Sequence, residues 1–210
     1  MARIYNFYSP DSPEDRIIKA HGHLTSGQFG KALDMFESLA AEGEPVANEI
    51  GYIYERGGDG VAQDMDAARH WYMKAIEEVD DDYAYLGLAR MALKGYSDAG
   101  SPSDAVDYLR KACDVDNPMA LTNLGMLYHF GQVVPKDMDH AAQLYERACE
   151  QGYVLPLKYL SILRMEQGRY LAGIRLRLKA IAAALRLTWK DQSDPRLSGL
   201  LSEKMSRRLQ

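Results

Sequence analysis

Apolar residues along this chain recur at helical spacing inside a longer period. Ala32, Ala68, Ala105 and Ala141 stand 36, 37 and 36 positions apart, and each opens a similar run of apolar positions. Asp64-Met65-Asp66-Ala67-Ala68-Arg69-His70-Trp71-Tyr72-Met73-Lys74-Ala75 aligns with Asp137-Met138-Asp139-His140-Ala141-Ala142-Gln143-Leu144-Tyr145-Glu146-Arg147-Ala148. Asp104 to Ala112 gives a third copy and Lys31 to Leu39 a looser fourth. In each, a small residue is followed by bulky ones three or four positions on, which is one face of a helix. A repeat of this length describes a stack of similar units that buries a core only by stacking, and it favours a binding surface over an enzyme pocket.

The stretch before each helix repeats too. Ile50-Gly51-Tyr52-Ile53-Tyr54-Glu55-Arg56-Gly57 matches Leu124-Gly125-Met126-Leu127-Tyr128-His129-Phe130-Gly131, and Leu88 to Gly95 follows with smaller residues. The small second position predicts a close helix approach, and the final glycine a left-handed cap. Each unit is therefore a helical hairpin. Asp64 and Asp137 fall just before second helices, where a carboxylate accepts from free backbone N–H groups. The paired aspartates of Asp-Met-Asp read as caps, because two carboxylates without further oxygen ligands make no cation cage.

Leu-Gly-x-x-Tyr-x-x-Gly, then Gly-Val or Val-Pro, then Asp-x-x-x-Ala with Trp-Tyr-x-x-Ala, resembles the Sel-one-like repeat, a longer-looped relative of the tetratricopeptide repeat. The match is best over Ile50 to Ala75 and Leu124 to Ala148; the unit between them has Ala89 and Ala92 for the Gly and Tyr. The resemblance implies an all-α fold, a right-handed α-solenoid of about five helix-turn-helix repeats with a C-terminal helical extension. We expect an N-terminal extension at 1–12, repeats near 13–44, 45–81, 82–117, 118–153 and 154–187, and a tail at 188–210. The outer units have tighter turns, and Arg16, Lys19 and His21 in the first suit a capping unit with one wet face.

Composition agrees with a packed helical array: 47% of the 210 residues are apolar and 26% charged. The N-terminus lacks the apolar core of a secretory signal and no run of 18 apolar residues occurs, so a cytoplasmic location is expected. Cys113 and Cys149 hold the same place in consecutive repeats, about 10 Å apart on neighbouring helices, beyond the roughly 7 Å reach of a disulfide. They read as small buried thiols.

Catalytic chemistry finds no foothold. The histidines, His21, His23, His70, His129 and His140, form no His-Glu-x-x-His motif, and no nucleophile elbow, phosphate loop or dinucleotide fingerprint is present. No cofactor or metal is expected. His21 and His23 read as residues of a surface helix end.

In stacked hairpins the first helices line a concave groove. Its expected contact residues are Asn48, Tyr52 and Glu55 or Arg56, then Arg90 and Lys94, then Thr122, Met126 and His129. Asn amides can bind a peptide backbone, the two cations a carboxylate, and Tyr52 and Met126 are apolar anchors. The resemblance implies a non-enzymatic adaptor or scaffold for a protein or peptide partner, a role such proteins fill in bacterial signalling, envelope and secretion pathways and in eukaryotic membrane-protein quality control.

Charge is the second functional signal. Residues 164–210 carry a net charge of +7 and the first 163 residues −12. Ile174, Leu178, Ile181, Leu185 and Trp189 make an apolar stripe beside Arg175, Arg177, Lys179 and Arg186. The stripe covers the end of the core, mediates self-association, or docks on an anionic membrane surface. The acidic remainder of the chain argues against nucleic acid. Leu197, Leu200, Leu201 and Met205 give the tail one apolar side.

Overall fold

A computed structural model describes residues 12–190. The expected segments before residue 12 and after residue 190, with the stripe of Leu197 to Met205, lie outside the described residues. Regular structure within residues 12–190 is ten α-helices and one short 3₁₀ turn. They fall into two compact units, one ending at Ser101 and the other beginning at Pro102.

The first unit holds α1 (Pro13–Thr25), α2 (Phe29–Ala41), α3 (Ala47–Arg56), α4 (Met65–Val79), α5 (Asp82–Leu93) and the turn Ser97–Ala99. The second holds α6 (Pro102–Asp114), α7 (Pro118–Phe130), α8 (Met138–Glu150), α9 (Val154–Glu166) and α10 (Tyr170–Lys190). Within each unit every helix packs on the next. First helices of adjacent hairpins also touch, α3 with α5 and α7 with α9. This consecutive packing is that of an α-solenoid.

Local chemistry sets the helix ends. Asp64 accepts from the Ala67 N–H at 2.9 Å, Asp81 from Ala84 at 2.8 Å, and Asp137 from both Asp139 and His140. Asn117 does the same for Met119 and Ala120, ahead of Pro118 at the first helical position. Each such cap stabilises its helix by about 1 kcal/mol. Gly131 closes α7 in the left-handed region at φ 66°. Gly57 closes α3 at φ 65°, where a Cβ would also sit 2.8 Å from the Gln63 nitrogen.

The alanines that mark the period, Ala32, Ala68, Ala105 and Ala141, are each fully buried. Large residues fill the space around them. Phe36, Leu39, Ile50 and Ile53 form the core at the start of the first unit, and Tyr145, Leu160 and Leu163 pack beside Ala141 in the second. Burial of each large side chain stabilises by about 1.5–3 kcal/mol, which supplies the driving force that short isolated helices lack. Cys113 and Cys149 are both free, and burial pushes each thiol up to about 12.

The last helix corrects one expectation. Its core-facing side is Leu176, Ala180, Ala183, Ala184 and Leu187, packed with Val154 and Leu157 of α9. Ile174, Leu178, Ile181 and Leu185 point away and are 46–65% exposed, so the stripe does not cover the core. Small residues won the contact because they let the two axes approach: a Cβ on Gly173 would lie 2.9 Å from the Ser161 carbonyl oxygen.

Candidate functional site

Each unit contains a tyrosine seated on glycine. The Tyr72 ring of α4 lies between Gly51 of α3 and Gly87 of α5, where added Cβ atoms would come within 2.8 and 2.4 Å of it. Tyr145 of α8 is seated in the same way on Gly125 of α7. Each ring thus brings its hydroxyl to the last turn of the preceding first helix.

There it meets a buried polar group. In the first unit this is Glu55, 5% exposed, which accepts from the Tyr72 hydroxyl at 3.0 Å. Arg90, one repeat further on, donates two N–H groups to the same carboxylate, through Nε at 2.7 Å and through a terminal nitrogen. Lys94 lies 3.4 Å away. Burial alone would raise the carboxyl pKa, but the guanidinium, the phenol and the ammonium outweigh it and hold Glu55 below the usual carboxylate range. Tyr72 is pushed far up by burial and by the Glu55 charge, so it remains a donor.

In the second unit the group is His129, fully buried, with Nδ1 3.3 Å from the Tyr145 hydroxyl and Nε2 3.1 Å from Glu166 of α9. A carboxylate only accepts, so Nε2 carries the proton shared with Glu166, and Nδ1 pairs with the Tyr145 hydroxyl. Lys136 stands 3.9 Å from the same carboxylate. Among the described residues, every buried side-chain nitrogen and oxygen has a partner. These polar groups tie first helix to first helix.

The expected contact residues therefore separate into two sets. Asn48 and Tyr52 are half-buried and Arg56 is exposed on α3, at i, i+4 and i+8 on one face. Arg90 and Lys94 keep part of their surface in solvent, at 38% and 53% of the side chain, and Tyr52 is close enough to Arg90 to interact with it electrostatically. Thr122 and His129, expected at the surface, are inside. The Thr122 hydroxyl donates to the Pro118 carbonyl at 2.6 Å, and His129 is fixed as described. Met126 is half-buried against the Tyr145 cluster.

Two features escaped the sequence reading. One is the role of Glu55 as the anchor of the Arg90 and Lys94 cations. The other is a shallow recess of about 60 Å³ whose lining includes Pro118, Met119, Asn123, Tyr153 and Pro156 at the starts of α7 and α9. The signal for the first was present as opposite charges one repeat apart. The recess forms between the starts of two helices and left no sequence signal. Arg175, Arg177, Lys179 and Arg186 are all exposed on α10. No helix of the described residues is long and apolar enough to cross a membrane.

Hairpins packed in chain order, with tyrosines seated on glycine between them, define a helical-repeat protein. The repeat is the Sel1 repeat: its family model matches residues 46–80, 82–117 and 118–153, and the chain belongs to that family. Curated relatives include the chitin synthase regulator SKT5 of Saccharomyces cerevisiae, 31% identical over 120 residues, 56% of this chain and 17% of that protein. The ERAD-associated E3 ubiquitin-protein ligase component HRD3B of Arabidopsis thaliana is 30% identical over 144 residues, 63% of this chain and 22% of that protein. The chain thus spans about a fifth of the length of these relatives. The crystal structure of a Sel1 repeat protein from Oxalobacter formigenes aligns with a TM-score of 0.68 at 25% identity, covering 80% of this chain and 69% of that one. The Escherichia coli protective antigen c5321 aligns at 0.61 and 21% identity over 93% of this chain and 48% of its own, a likeness of fold alone. Sel1 repeat proteins act as protein-interaction scaffolds and are in general non-enzymatic.

Proposed function

We propose that this chain is a non-enzymatic adaptor that holds a partner protein or peptide on the outward row of its first helices. In the first unit the row is Asn48, Tyr52 and Arg56, with Arg90 and Lys94 beside it. The observation that carries the reading is the composition of α3. Ile50, Gly51 and Ile53 are buried in the repeat packing, whereas the other side offers an amide, a phenol and a guanidinium in one line. An amide reads peptide backbone, Tyr52 supplies a rigid anchor, and the cations pair with carboxylates.

Charge favours an acidic partner segment. Arg90 and Lys94 both pair with the one carboxylate of Glu55, which leaves that cluster with a positive excess, and exposed Arg56 follows Glu55 on α3. In the second unit, taken by itself, Thr122 and His129 are buried and half-buried Met126 is the remaining candidate contact on α7. The two free thiols, Cys113 buried and Cys149 half-buried, fit a reducing compartment such as the cytoplasm.

A photo-crosslinking residue tests the surface. Placed at Tyr52, it should capture a discrete partner that the same residue at exposed Glu77 of α4 does not. Equal capture from both positions would move the binding surface elsewhere.

A further inference from the structure

We propose that α10 is a lipid-docking helix that lays its outward face on an anionic bilayer surface. The proposal is separate from the first-helix surface and rests on three observations. First, Tyr170, Leu171, Ile174, Leu178, Ile181 and Leu185 are each 46–75% exposed. At 100° per residue they share a wedge about 100° wide, on the side of the helix away from the α9 contact. An exposed apolar run of this length signals an interaction surface.

Second, the charged residues that flank the wedge are all cations. Arg175, Lys179 and Arg186 line one border and Arg177 the other, all exposed, and residues 169–190 contain no Asp or Glu. An apolar face bordered by basic side chains on a helix of 21 residues is the pattern of an interfacial helix. Tyr170 places an amphipathic ring at its start, as membrane interfaces favour.

Third, the placement of the cations decides between occupants. A second copy laid along the stripe would bring Arg175 and Arg177 against like charges with no acidic residue on α10 to offset them. A single acidic partner helix would pair with the cations of one border of the wedge at a time, Arg177 or else Arg175 and Arg186. A planar anionic surface engages both borders together, because long basic side chains bend back along the helix to the headgroup level. The acidic remainder of the chain, net −12 over the first 163 residues, would orient the basic end toward such a surface.

The test is co-sedimentation of the full chain with vesicles of phosphatidylcholine alone or mixed with phosphatidylglycerol, at low and high salt. Two variants accompany it, Arg175→Glu/Arg177→Glu/Lys179→Glu and Leu178→Ser/Ile181→Ser, both at exposed positions and checked for helicity by circular dichroism. We expect binding to the mixed vesicles only, weakened by salt and reduced on the order of tenfold or more by either variant. Absence from the mixed vesicles, or binding that the charge reversal leaves unchanged, would overturn the proposal. So would a shift in sedimentation velocity with Leu178→Ser/Ile181→Ser in the absence of vesicle binding, which would assign the stripe to a second copy. A Tyr52→Ala variant should bind vesicles like the native chain, so failure here and failure of the adaptor reading are told apart.

Discussion

Glu55 and His129 occupy the same position of the repeat, two residues before the closing glycines Gly57 and Gly131, and carry opposite chemistry. Each pairs with a tyrosine hydroxyl from the following helix. Each then reaches one repeat onward, Glu55 to Arg90 and Lys94, His129 to Glu166. Lys94 and Glu166 themselves stand at equal distances from the N-caps of α5 and α9. The latch between hairpins is thus kept in place while its polarity is reversed.

Reversed polarity makes the residues non-interchangeable. His129→Glu would bury a carboxylate beside Glu166, and removing the complement of a buried ionic group costs about 3–5 kcal/mol. Adding Glu166→Lys recreates the arrangement of the first unit and should recover most of that loss. Chemical denaturation of the single and double variants measures it. A double variant no more stable than the single one would mean that the latch contributes little.

The glycine seats give a prediction whose sign runs against helix propensity. Gly87→Ala gains up to about 1 kcal/mol of helix preference. However, its Cβ would lie 2.4 Å from a Tyr72 ring whose hydroxyl is held by Glu55. Overpacking of this kind costs about 1–3 kcal/mol, so the variant should melt lower than the native chain. Gly22, with nothing within 4 Å of its added Cβ, is the control, and Gly22→Ala should melt higher.

Much of this fold could be read from the chain. The period of Ala32, Ala68, Ala105 and Ala141 placed the buried faces of the second helices, and Asp64, Asp137, Gly57 and Gly131 placed helix ends, because caps and small-residue contacts are local. The candidate surface was less legible. A polar side chain in an amphipathic pattern reads as exposed, yet Glu55 and His129 are inside because partners 35 and 37 residues away satisfy them. Periodicity within a helix carries no trace of such pairs. The inward face of α10 was missed for a related reason: a row of alanines scores weakly beside leucine and isoleucine, but close approach to α9 selects it.

Acidity should affect the docking of α1. His21 Nε2 lies 3.3 Å from Glu49 of α3, and that hydrogen bond raises the imidazole pKa above its ordinary 6.5 against the opposing effect of partial burial. A raised folded-state pKa gives stabilisation that is complete below the unfolded value and lost as pH rises through the folded one. The melting-temperature gap between the native chain and His21→Gln should therefore shrink from about pH 6 to about pH 8. A gap that is constant or grows with pH would contradict the assignment.

Val133 is a β-branched residue at φ 63°, at the centre of a tight turn closed by Val134 N–H donating to the Gln132 carbonyl at 2.6 Å. That conformation costs an L residue about 1–2 kcal/mol, and glycine gives back about 0.5–1 kcal/mol through its freer unfolded chain. Val133→Gly should stabilise by about 0.5–1 kcal/mol, read as a higher denaturation midpoint. An unchanged or lower midpoint would show the turn to be unstrained.

The adaptor reading is tested most directly by affinity capture from the source cell, comparing the native chain with Asn48→Ala/Tyr52→Ala/Arg56→Glu and identifying the captured proteins by mass spectrometry. These three positions are preferable to Arg90, whose loss would leave Glu55 buried without its main partner. The account predicts a discrete partner held by the native chain and lost by a variant that melts at the native temperature. Retention of the same partner by that variant would contradict it.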